Sequence, residues 1–157
     1  MTLLQACEWL GSSWIGTLIR NSKWGFALIE MVHLLALALL GSTLLVSTLQ
    51  SLGIIFKGTA PGALFRDLRR ARIASLAAMI VSGILLFADG PLRYYGNAAF
   101  RVKLLLIGGA ALTGALSHYM GYGSTQREWP VWAKAATLLS LTLWLGAGVA
   151  GRVVGVL

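Results

Sequence analysis

Residues 24–56, WGFALIEMVHLLALALLGSTLLVSTLQSLGIIF, constrain this chain more than any other stretch. At about 1.5 Å of rise per residue, a helix of this length covers the roughly 30 Å hydrocarbon core of a bilayer with turns to spare. It therefore reads as a spanning helix, tilted or protruding, over about residues 24–52. Near its start stand Glu30 and His33, three positions apart, on one face and about one turn apart in depth. Ionisable groups inside a bilayer are costly, so this pair is the first place to look for function.

The remainder of the chain suits the same solvent. Of its 157 residues, 57% are hydrophobic and 11% charged, too apolar a surface for a water-soluble core of this size to hide. One membrane domain over residues 1–157 is expected. The net charge of +8 would suit nucleic acid, but the basic residues fall in short loops between apolar runs, where membrane topology accounts for them. No nucleic-acid partner is expected. A single cysteine, Cys7, gives no intrachain disulfide and no thiolate cluster.

Residues 2–20 place Leu3, Leu4, Cys7, Leu10, Trp14, Ile15, Leu18 and Ile19 on one helical side, against Gln5, Glu8, Ser12, Thr17 and Arg20. With neither a basic leader nor an unbroken apolar core, the segment reads as an amphipathic helix on the membrane surface or packed on the bundle, and not as a signal peptide. Lys57, Arg66, Arg69, Arg70 and Arg72 make 57–72 the densest basic loop, which predicts that it is cytoplasmic and that both termini lie outside, in a bacterial inner membrane. A second span is predicted over about 73–88, ended by Asp89-Gly90-Pro91; its shortness calls for tilt or local thinning. A third covers about 102–122, with Lys103 at its outer end, and a fourth about 131–154 after Pro130, with Arg152 at its outer end. Tyr94 and Tyr95 fall where an aromatic belt would lie.

The predicted fold is all-α: an integral membrane, antiparallel four-helix bundle with an N-terminal amphipathic interfacial helix. Gly108, Gly109 and Gly114 in the third span, and Gly148, Gly151 and Gly155 in the fourth, allow close helix contact or make room for a flat cofactor.

The segments SKWGFALIEMVHLLALALLG, NAAFRVKLLL and LWLGAGVAGR resemble a family of uncharacterised bacterial four-span inner-membrane proteins, over nearly the whole chain from Trp9 to Arg152. More loosely, a bundle with one histidine on its first span and another on its third is similar in plan to small membrane b-type cytochromes. That likeness implies haem b, axial histidines, and electron transfer with quinone or a partner redox protein. The chain has two histidines, fewer than such families generally offer, and no CxxCH signature.

Haem iron takes histidine, or histidine with methionine, and its macrocycle needs an apolar slot with cations near the propionates. His33 and His118 are the candidate ligands, with Lys103 and Arg152 as propionate partners. Their depths differ: counted from the outer ends of their spans, His33 lies ~14 Å in and His118 ~24 Å. Either the first span sits deeper, or the histidines serve separate sites or separate subunits, or His33 pairs with Met79 on the second span. Glu30 reads as an ion-pair partner of Lys103 or Arg152, or as a proton acceptor for quinol oxidation. A hydrogen-bonded neutral imidazole at His33 and an interfacial polar residue at His118 are the structural alternatives.

Glu30-x-x-His33 also matches half of a di-iron carboxylate motif, but no second copy follows. Met31, Met79 and Met120 with histidine suit Cu(I), although their scatter suits core packing better. The readings to be weighed are thus a haem b electron-transfer subunit, a cofactor-free scaffold or assembly subunit of a larger complex, and metal-ion transport. The first two expect an oligomer or a place within a complex.

Overall fold

The computed structural model describes residues 3–56, 63–122 and 130–156. Among them there are eight helices and no strand: α1 (Leu3–Gly11), α2 (Trp14–Asn21), α3 (Gly25–Ser51), α4 (Ala63–Asp67), α5 (Arg69–Asp89), α6 (Pro91–Tyr95), α7 (Ala98–Tyr122) and α8 (Val131–Val156). Helices α3, α5, α7 and α8 are long and apolar enough to cross a membrane. Large apolar side chains stand exposed along all four, among them Leu35, Ile84, Leu105, Leu112 and Leu145. Leucines that face outward along the full length of a helix are at home in lipid. The molecule is a multi-pass membrane bundle, antiparallel in chain order.

Local chemistry sets where each helix stops. Gly53, at a φ of +74°, closes α3; its N–H donates to the Gln50 carbonyl at 2.9 Å while the Ile54 N–H reaches the Leu49 carbonyl at 3.0 Å, a glycine C-terminal cap. Helix α5 begins at Arg69, four residues before the apolar run, because the arginines occupy its first turn. The helix is therefore 21 residues long, its apolar run still the stretch from Ile73 onward. Helix α7 likewise begins at Ala98, where Asn97 Oδ1 accepts from the Ala99 N–H at 2.9 Å. Asparagine is a good N-cap, and this signal was available in the sequence.

The N-terminal amphipathic segment is two helices instead of one. Ser12 and Ser13 return their hydroxyls to the Trp9 and Leu10 carbonyls, and Ser13 Oγ then accepts the Gly16 N–H as the cap of α2. Arg20 ties the pair down, donating to the Asp89 carbonyl at 2.7 Å and to the Gly11 carbonyl. A Cβ at Gly16 would lie 2.7 Å from the Ala88 carbonyl oxygen, so α2 can rest on the end of α5 only with glycine there. Trp9, Trp14 and Leu18 remain exposed, as for an interfacial layer.

Within the bundle α7 packs most intimately on α8, α3 packs on α5, and α3 joins the two hairpins through α8. Ala36, Leu40 and Met79 form the buried core between α3 and α5, with Trp144 of α8 against it. Helices α5 and α7 make no comparable backbone contact. The end that bears α1, α2 and α6 is called the capped end below.

Candidate functional site

Between the two hairpins, in the capped half, lies a cavity of about 220 Å³. Every spanning helix contributes to it: Glu30 and His33 from α3, Met79 and Gly83 from α5, Lys103 and Ile107 from α7, and Trp144, Gly148, Gly151 and Arg152 from α8. Tyr94 of α6 adds a phenol. Burial holds that phenol above its ordinary pKa, Arg93 acting against the shift, so it stays a hydrogen-bond donor at neutral pH.

His33 is held by a short relay. Its Nδ1 lies 2.8 Å from Ser82 Oγ, and that hydroxyl has a carbonyl of its own helix, Ala78, at 2.5 Å. The single hydroxyl proton goes to the carbonyl, as it does for most serines within apolar helices. Ser82 Oγ is then the acceptor and His33 Nδ1–H the donor. This tautomer leaves Nε2 with an unshared pair, able to accept a proton or to ligate a metal. Room for the ring comes from Gly83, where a Cβ would stand 3.5 Å from His33 Cε1.

Lys103 is positioned by the opposite wall. A Cβ at Gly151 would lie 3.3 Å from its Nζ, so the lysine stem crosses from α7 and lays its ammonium against the α8 backbone. Arg152 is the neighbouring cation. Among the described residues neither makes an ion pair within 4 Å of Glu30. The cavity wall therefore carries one carboxylate, two cations, an oriented imidazole and a phenol.

Of the six residues that the haem and quinol readings name, five, Glu30, His33, Met79, Lys103 and Arg152, meet at this cavity. His118 does not line it. It is exposed in the last turns of α7, within the electrostatic reach of Arg72 and Arg69 of α5, at the opposite end of the bundle. The side chain of Met120 lies outside the described residues. No group of three His, Cys, Asp or Glu side chains that could hold a metal ion occurs among the described residues. Sequence reasoning missed Ser82, Gly83 and Trp144. A Ser-Gly pair midway along an apolar span was the available signal for the first two.

A model of DUF6644, a family of unknown function, matches residues 6–157. The chain belongs to that family. No curated protein and no solved structure shows significant similarity to it. The match to DUF6644 takes in α1 from residue 6 onward, all of α2 and all four spans, so every residue that lines the cavity falls inside the region that the family model describes.

Proposed function

We propose that the chain is an electron-transfer subunit of a bacterial inner membrane, its arginine-rich end in the cytoplasm, and that the cavity takes the head group of a quinol. The observation that carries this reading is that His33, Glu30 and Lys103 line one cavity, the first two from α3 and the lysine from α7. Size favours a single ring as the occupant. An engineered cavity of about 150 Å³ holds benzene, so about 220 Å³ takes one substituted ring and encloses only part of a porphyrin. A quinol gives up two protons and two electrons on oxidation. One hydroxyl proton goes to His33 Nε2 and the other to Glu30, while the Lys103 ammonium stabilises the developing oxyanion. The electrons would leave one at a time for a redox centre of a partner protein, the one-electron acceptor that this reading requires.

The test is a lipid extract of the purified protein, together with titration by a quinol analogue. Bound quinone is expected, and His33→Ala should weaken analogue binding at least tenfold. Quinone-free protein that binds the analogue no better than His33→Ala would overturn the reading.

A second reading, haem b in the same cavity, is favoured by the relay that leaves His33 Nε2 free to ligate iron. Met79 would be the second ligand within one chain, Lys103 and Arg152 the propionate partners, and His118 a ligand only for another site or another subunit. A Soret band with a positive pyridine haemochrome, lost in His33→Ala, identifies this case. Colourless, quinone-free and metal-free protein leaves the cofactor-free scaffold; bound metal without pigment would indicate ion handling.

A further inference from the structure

The arginines at the end opposite the cap carry a pattern that membrane topology does not require. Leu68, between α4 and α5, keeps right-handed helical backbone at φ −80° and ψ −1°. Its N–H donates to the Leu64 carbonyl at 2.9 Å, and its carbonyl accepts from the Arg72 N–H at 2.9 Å. The two helices therefore run on as one helical stretch. Along it Arg66, Arg69, Arg70 and Ile73 stand at positions i, i+3, i+4 and i+7, which is one face. All four are exposed. Ile80 and Ile84 continue that face toward the capped end and are exposed as well. From Ile73 to Ile84 the stripe runs ~16 Å at the helical rise, about half of a ~30 Å hydrocarbon core. Three guanidiniums thus stand over an apolar stripe one leaflet deep.

Three other arginines are engaged within the protein. Arg72, off this face, donates to Ser47 Oγ at 2.9 Å; Arg20 donates to the Asp89 and Gly11 carbonyls; Arg101 donates to the Tyr95 carbonyl at 3.3 Å. Among the described residues no such bond holds Arg66, Arg69 or Arg70. Asp67, also exposed, offsets one of their charges and leaves the face cationic. Packing leaves it open too, since α5 meets α3 through its other side, where Met79 is buried. The orientation rule counts basic residues beside a span and is blind to helix face, so it does not account for this division.

We infer that this face binds an anionic phospholipid, with its phosphate on Arg66, Arg69 and Arg70 and one acyl chain along Ile73, Ile80 and Ile84. Charge and length both select it. Guanidinium pairs with phosphate through parallel N–H donors, and basic residues beside a span draw anionic head groups. A zwitterionic head group brings its own ammonium to the arginines and forfeits that gain. A free phosphate ion has no use for the stripe. The site stands whether or not the cavity takes a quinol.

The test is native mass spectrometry of the full chain in detergent, titrated with phosphatidylglycerol or phosphatidylcholine, where the orientation of insertion has no influence. Phosphatidylglycerol should be retained at least tenfold more tightly than phosphatidylcholine. Arg69→Gln combined with Arg70→Gln should weaken its retention at least tenfold. Arg93→Gln combined with Arg101→Gln removes the same charge at the capped end and should change it less than twofold. Equal loss in the two pairs would reduce the effect to net charge and overturn the site, as would equal retention of the two lipids. Inorganic phosphate in large excess should displace no more lipid than sodium chloride at matched ionic strength. Displacement beyond that would mark a plain anion site and overturn the lipid assignment.

Discussion

Along α7 and α8, a Cβ placed on Gly114 would sit 3.0 Å from Ser140 Oγ, and hydroxyls reach across to the facing backbone. Ser117 Oγ donates to the Ala133 carbonyl at 3.1 Å and Ser140 Oγ to the Ala110 carbonyl at 2.8 Å. Around the cavity the small residues do something else. Gly83 stands opposite His33 and Gly151 opposite Lys103, so missing side chains make space for titratable groups instead of bringing two backbones together. Lipid offers no hydrophobic force between helices, so association depends on close packing and cross-helix hydrogen bonds. The α7–α8 hairpin uses its polar groups on itself; the cavity keeps Glu30, Lys103 and Arg152 without ion-pair partners among the described residues. The first region holds the bundle, and the second is left to bind something.

The sharpest way to break this contrast is to fill one glycine in each region. Gly114→Leu must push α7 from α8 and should cost about 3 kcal/mol, the upper range for an overpacked core, read as unfolding in detergent. Gly83→Leu should keep the unfolding midpoint near that of the parent and abolish quinol binding. Equal destabilisation by both would mean that the cavity is ordinary packing.

The two histidines give the next largest effect. His33→Ala should weaken quinol binding at least tenfold, or about 1.4 kcal/mol, while His118→Ala should change it less than twofold. Both are read by titration with the same analogue. The reverse order would move the site to the arginine-rich end.

Why the sequence could indicate His33 but not discriminate it from His118 is a matter of geometry. Four apolar runs with arginines between them specify the spans, because only a helix satisfies its own backbone in lipid. Glu30 and His33 stand out because ionisable groups are rare there. Which helix faces which is carried by Gly83, Gly114, Gly151 and the serines, and each of these sits in a span with other small residues that look the same in one dimension. Depth is equally hidden: α7 begins at Ala98 through its Asn97 cap, four residues before the apolar run, and α5 recruits arginines into its first turn. Ser82 could not be assigned to His33 until α5 was placed against α3.

Two serines offer the finest test, because the same substitution has different consequences in the two regions. Ser82→Ala removes the hydroxyl that accepts from His33 Nδ1–H and leaves the ring to the Met79 backbone alone. One hydrogen bond contributes about 1 kcal/mol, so binding should weaken about fivefold with a small change in unfolding. Ser140→Ala removes a bond between helices and touches nothing in the cavity. Such bonds in membranes average about 0.6 kcal/mol, so unfolding should shift slightly and binding should not. A serine that orients a ligand group moves affinity, whereas one that joins two helices moves stability. If Ser140→Ala altered binding as much as Ser82→Ala, the α7–α8 hairpin and the cavity would be one coupled unit, and the division of labour between them would fail.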